Sequence, residues 1–178
     1  MMTTAEYLQT PETVVPQELI YGALRVAESP SGSHQRVVLN LALEIAPYVR
    51  QRGLGELVLA PMDVILDFDA SLVVQPDLLF ISRQRAHIFT DRIYGAPDLV
   101  IDVLSPRPRL GTLAERVGWF ARYGVKECWL ARLPEKELSV LSLTREGIRS
   151  ETRYRGSDRL KSAVVPDVDL KPVDVYGW

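Results

Sequence analysis

The sequence predicts an α/β or α+β domain with a mixed sheet, and three stretches carry that expectation. The first is Asp98–Leu104, whose LVIDVL core is apolar on nearly every residue. A strand buried on both faces reads this way, which places it inside a sheet covered on two sides. The second is the succession of that strand, a 14-residue helix from about Leu110 to Tyr123, and a new apolar strand over Val125–Ala131. Strand–helix–strand of this length resembles a right-handed crossover between parallel strands. The third is Leu138–Leu143 and Ile148–Tyr154 around Glu146-Gly147, which fits an antiparallel hairpin.

The remaining elements follow in order. Thr4 could cap a short helix over Ala5–Leu8 that ends before Pro11. Glu18–Val26 reads as two short strands around Tyr21-Gly22. The turn-forming SPSGSH segment leads into a helix from about His34 to Arg50, where Val37, Val38, Leu41, Ile45 and Val49 recur at helical spacing. Pro47 is expected to distort its last turns, and Gly53 and Gly55 stop it. Glu56–Ala60 and Asp63–Leu66 read as strands separated by Pro61-Met62, with Asp67-Phe68-Asp69 as a hairpin return. Val73–Val74 and Asp77–Ile81 are further strands, and Ser82–Tyr94 fits a loop or a short helix. In the crossover helix, Thr112 followed by Glu115 forms a capping-box pattern. Leu113, Val117 and Phe120 supply its apolar stripe, and Gly124 ends it. The tail has two prolines and irregularly spaced apolar residues.

A chain of 178 residues with 47% hydrophobic and 25% charged residues is long and apolar enough for one folded domain, taken here as residues 1–178. The single cysteine, Cys128, excludes an intrachain disulfide and a four-cysteine zinc site. The net charge of -2 speaks against a uniformly basic DNA-coating protein but permits a local basic site. The cations are uneven: 17 Arg against 4 Lys, the first of which is Lys126. The opening MMTTAEYLQT lacks a basic segment followed by an apolar core, and no apolar run approaches ~20 residues. A cytosolic location without a membrane span is therefore expected.

Nucleophile and phosphate-loop signatures are missing: there is no GxSxG, no glycine-rich loop ending in Lys-Ser/Thr, and no GxGxxG. Cys128 sits in an apolar strand and reads as a packed, inert thiol. Two histidines, His34 and His87, rule out a histidine-rich metal site within one chain. The carboxylates carry more. Asp77 opens the strand LLFI, and Asp102 lies between Ile101 and Val103. An ionised carboxylate there must be paired, hydrogen-bonded or metal-bound. Two such acids on neighbouring strands could share a hard cation such as Mg²⁺; equally, Asp102 could pair with an arginine. Glu18 and Glu28 are further possible ligands, although either alone reads first as a surface residue. His34 could cap its turn, contact a phosphate or bond a carboxylate. Asp63 and Asp67 read as turn or edge acids, and Asp98 as the residue before the buried strand. Arg107, Arg109, Arg116 and Arg122 cluster after Asp102, and Arg83, Arg85 and Arg92 form a second set. Such clusters can localise nucleic acid, or simply solvate a surface. Arg116 differs, because the helix after the Asp102 strand could aim it back toward that acid.

Several ordered motifs carry a family resemblance: QELIYGALRV, SPSGSH, LAPMDVIL, QPDLLFI, GAPDLVIDVLSP, YGVKECWL and the closing YRGSDRLKSAVVPDVDL. Together they resemble the Uma-type restriction endonucleases of the PD-(D/E)XK nuclease superfamily over nearly the whole chain. The resemblance implies a restriction-endonuclease-like core, a mixed sheet flanked by helices with acids at one edge. It implies that Asp77 and Asp102 hold a metal, Mg²⁺ or Mn²⁺, with Glu18 assisting and His34 at the helix start; Asp63 matches a less diagnostic acid. It also implies DNA as the substrate and pairing into a homodimer. The chain departs from the pattern in three places: Asp102 stands where glutamate is usual, Leu104 where the superfamily has lysine, and Arg116 where family members place a lysine on the following helix. Thr112 stands at the family's preceding aspartate. The expected activity is Mg²⁺-dependent DNA cleavage, with Arg116 steadying the phosphate. The alternatives are a non-catalytic nucleic-acid-binding module and a homodimeric interaction protein with a degenerate site.

Overall fold

The computed structural model describes residues 1–105 and 112–177. Helix α1 (Thr4–Leu8) precedes strands β1 (Gln17–Ile20) and β2 (Ala23–Val26), then the long helix α2 (Gly32–Gln51). Next come β3 (Gly55–Leu59), β4 (Val64–Asp67), β5 (Leu72–Val74), β6 (Leu78–Ser82), a 3-10 helix (Arg83–Ile88) and β7 (Ile93–Tyr94). β8 (Leu99–Leu104), α3 (Leu113–Tyr123), β9 (Glu127–Arg132), β10 (Glu137–Thr144), β11 (Gly147–Arg155) and α4 (Pro172–Tyr176) complete the order. Leu110, expected to start the third helix, lies outside the described residues with Arg107 and Arg109.

The α/β class and the mixed pairing are as expected, but the strands form two sheets. One runs β2-β1-β5-β4-β7 and the other β11-β10-β9-β8-β6-β3. β3 and β4, consecutive in the chain, fall in different sheets, so Pro61-Met62 is a crossing between layers. β8 pairs antiparallel with β6 and parallel with β9, so it is an interior strand with α3 as the crossover. The six-stranded sheet is covered on one face by α2 and the tail, where Leu41, Ile45, Phe80, Ile101, Trp129 and Leu170 interlock. Its other face receives α3 and the inner side of the five-stranded sheet, through Phe120, Val100, Leu130, Val64 and Leu72. α1 closes the outer side of the smaller sheet with Tyr7 against Leu19, Ile65 and Val73.

Local chemistry sets the helix ends. Thr3, one residue earlier than expected, caps α1 and shares a capping box with Glu6. Ser31 caps α2 by accepting the His34 N–H at 3.2 Å, which leaves the imidazole for another partner. α2 runs through Pro47 to Gln51, with the Arg52 N–H bonding the Tyr48 carbonyl. Thr112 and Glu115 form the expected capping box on α3, and Gly124 ends it at φ 100°. That left-handed backbone suits a residue without Cβ. Within Ser82–Tyr94 the short helix is one of the two expected forms, while two elements lie outside expectation: strand β7, and α4 in the tail, whose Tyr176 hydroxyl donates to the Glu137 carbonyl at 2.7 Å. Among the described residues no helix is long and apolar enough to cross a membrane.

Candidate active site

Two registers bring the central acids together. Leu78 on β6 lies opposite Ile101 on β8, which sets Asp77, the residue before β6, against Asp102. The Asp77 N–H donates to Asp102 Oδ1 at 3.3 Å, and the Val103 N–H donates to Asp77 Oδ2 at 2.7 Å. Asp102 shares its side of β8 with Val100, which packs in the α3-facing cluster, so its carboxylate meets the first turns of α3. The third acid comes from the other sheet. Glu18 on β1 is 3% exposed, so the reading of it as a surface residue is overturned. Its neighbour Ile20 packs against the same α3-facing cluster, which shows that this side of β1 faces inward.

Arg116 ties the three elements. It is the fourth residue of α3, directly after the Thr112–Glu115 box and one turn past its cap, so the cap fixes the direction in which it leaves the helix. Its Nε donates to Asp102 Oδ2 at 2.6 Å, and its Nη1 lies 2.8 and 2.9 Å from the two Glu18 carboxylate oxygens. The guanidinium carbon sits 5.3 Å from the centre of the Phe120 ring, which backs it. Burial opposes its charge, but Asp102 and Glu18 outweigh that cost and hold the Arg116 pKa above its ordinary value. It is therefore a permanent cation.

His34 takes the carboxylate role among its three readings. Its Nε2 lies 3.1 Å from Asp77 Oδ2, while Ser31 does the capping. The structure thus brings Glu18, His34, Asp77, Asp102 and Arg116 into one hydrogen-bonded group. The other candidates lie elsewhere. Glu28 is exposed. Asp63 accepts from Tyr7 Oη, Gln75 Nε2 and Arg92 Nε, a set that locks the smaller sheet. Asp67 accepts the Ala70 N–H and the Tyr123 hydroxyl. Asp98 is tied to Ser82, Lys126 and Arg85. Cys128 is fully buried, and burial pushes its thiol well above the ordinary range, which fits the inert reading.

One contributor escaped the sequence reading. The Gln75 N–H donates to Glu18 Oε1 at 2.7 Å while its amide reaches Asp63, so Gln75 fixes Glu18 from behind. Only its place two residues before Asp77 could have drawn attention to it. The donors suit a hard cation, since carboxylate oxygens on adjacent elements are what Mg²⁺ prefers. Yet among the described residues no three His, Cys, Asp or Glu side chains stand in metal-holding geometry. The guanidinium of Arg116 lies between Glu18 and Asp102.

Comparison with known proteins adds two findings. A family model described as "Uma2: Putative restriction endonuclease" matches residues 4–172. The fold is similar to that of the crystal structure of "a putative nuclease belonging to DUF820" from Anabaena variabilis, at 18% identity and a TM-score of 0.84, covering 100% of this chain and 99% of that one. At that identity the likeness bears on the fold. No curated protein matches the chain.

Proposed function

The chain belongs to the Uma2 family, and from that premise we propose that it is a divalent-metal-dependent DNA endonuclease that hydrolyses phosphodiester bonds. The observation that carries this reading is the gathering of three carboxylates from separate parts of the chain: Arg116 bonds Glu18 and Asp102, and the Asp77 N–H bonds Asp102. Asp77 and Asp102 would hold Mg²⁺ or Mn²⁺, with Glu18 as the third carboxylate. Such a cation supplies Lewis acidity and a nucleophilic water at neutral pH.

The chain's own residues supply orientation and charge. The Val103 N–H and His34 hold Asp77 Oδ2 from two directions, so this carboxylate has little freedom to turn. Asp102 is placed by the Asp77 N–H. Leu104, at the superfamily's lysine position, has no group to donate or accept a proton. Arg116 stays charged, so it serves the phosphate as an electrostatic partner and not as a base. One restriction-endonuclease-like domain over residues 1–178, a homodimer and a cytosolic location belong to the same reading.

The test is cleavage of supercoiled plasmid by the purified chain with Mg²⁺ or Mn²⁺, beside Asp77→Ala and Asp102→Ala. Metal-dependent nicking that disappears in both variants supports the assignment; undiminished cleavage by both rejects it. One observation favours a second reading, a nucleic-acid-binding module without turnover. Arginine stands where the family places lysine, and it is already committed to two carboxylates. Salt-dependent DNA binding with no product in either metal would decide for that module.

A further inference from the structure

Arg116 occupies the place where charge on Glu18 and Asp102 must be offset. Three contacts of 2.6–2.9 Å join its Nε and Nη1 to both carboxylates. Both acids are buried, at 3% and 6% exposure, and the Arg116 side chain is 13% exposed. Among the described residues these two carboxylates share one guanidinium, in a setting where water screens little. Asp102 Oδ2 and both Glu18 oxygens point at N–H groups. A cation that bound those oxygens would stand beside a fixed positive charge.

Resting on the metal-dependent reading above, we infer that Arg116 and a divalent cation compete for Glu18 and Asp102, so Arg116 sets the affinity of this site for metal. The guanidinium acts as the resident counter-ion of the cluster. Occupancy by a divalent ion releases it from at least one carboxylate, and a released guanidinium is free to meet a substrate phosphate. A lysine would do the same less rigidly. Its ammonium is one point of charge, whereas the guanidinium presents Nε to one acid and Nη1 to the other. The substitution at this position is thus a change in resting metal affinity, separate from any loss of a base.

The experiment is Mn²⁺ titration of the full chain without DNA, followed by electron paramagnetic resonance, with thermal unfolding in parallel. Arg116→Gln should bind Mn²⁺ at least ~10-fold more tightly than the wild type, because a neighbouring positive charge has gone. Asp77→Asn in that background should abolish the gain. Without metal, Arg116→Gln should unfold at a lower temperature, and Mn²⁺ should recover more of its Tm than it adds to the wild type. A purely structural ion pair would lower the Tm with no such recovery. If Arg116→Gln does not fold, Arg116→Lys takes its place, with a smaller gain expected. Equal or weaker Mn²⁺ binding in the folded variant overturns the competition, as does no binding by any form. Tightened binding with no cleavage by the wild type would sink the nuclease reading alone. Cleavage with Mn²⁺ affinity indifferent to Arg116 would sink the competition alone.

Discussion

Asp98 immediately precedes β8 and Asp102 lies within it; they are 1% and 6% exposed, yet they sit in opposite electrostatic surroundings. Asp98 Oδ2 accepts the Ser82 N–H at 2.8 Å, and its Oδ1 lies 2.7 Å from Lys126 Nζ and 3.6 Å from Arg85 Nη1. One carboxylate there has two cations. Four residues on, the ratio reverses, since Asp102 and Glu18 divide one guanidinium. An acid with surplus positive charge and a backbone N–H is finished as a structural joint. An acid that must share its counter-ion keeps attraction to spare for another cation. Burial alone does not separate the two roles; the local count of charges does.

The largest expected effect is on turnover. Asp102→Asn should lower DNA cleavage by ~100-fold or more while folding is retained, because it touches the proposed ligand set. Asp98→Asn should leave cleavage per folded molecule near the wild type. If Asp98→Asn removed cleavage and Asp102→Asn did not, the contrast between the two sites would be reversed.

Stability should show the opposite pattern. Asp98→Asn should cost about 1–3 kcal/mol at neutral pH, by replacing a buried carboxylate whose hydrogen bonds are charge-assisted with a neutral amide. Each kcal/mol is roughly 2–4 °C in Tm for a chain of this size. Burial raises the Asp98 carboxyl, but Lys126 and Ser82 more than offset it, and the pKa ends below its ordinary value. The stabilisation is therefore complete above the unfolded carboxyl pKa of ~3.9 and is lost as pH falls through the lower folded value. Unfolding curves of wild type and Asp98→Asn should converge at acid pH; a constant gap from pH 7 to pH 2 would refute the ionic origin.

The smallest effect concerns the helix that carries Arg116. Thr112→Ala removes the hydroxyl that accepts the Glu115 N–H at 3.2 Å and should cost ~1 kcal/mol. It should also speed hydrogen exchange in the first turn of α3. Exchange there unchanged from wild type would mean that the cap does not set the position of Arg116.

Local features were readable from the chain, and those that depend on distant pairing were not. β8, the hairpin of β10 and β11, and the capping box of Thr112 and Glu115 follow from patterns within a few residues, and they appear where expected. The pairing of Asp102 with Arg116 was one of two readings left open, because the strand–helix step that links them spans only 14 residues. The burial of Glu18 was hidden: its inward side is set by pairing of β1 with β5, more than fifty residues away. His34 posed the same difficulty, since its partner lies 43 residues on. Division into two sheets escaped for a related reason, because alternation along a strand does not reveal its neighbour. Glu127 and Glu137 are buried acids that the sequence reading passed over. Glu127 accepts from Trp129, Ser162 and Ala163 and so anchors the tail, and Glu137 accepts from Arg155.

The bond between Glu18 and Arg116 joins residues 98 apart, and its two ends belong to different layers of the molecule. Contacts of such separation carry a loop-closure cost that local helices and hairpins do not. A nascent or half-folded chain that has built only one layer holds no assembled cluster, whatever its local helices and hairpins have achieved. Under the nuclease reading proposed above, the cluster is complete only in a chain whose distant segments have come together.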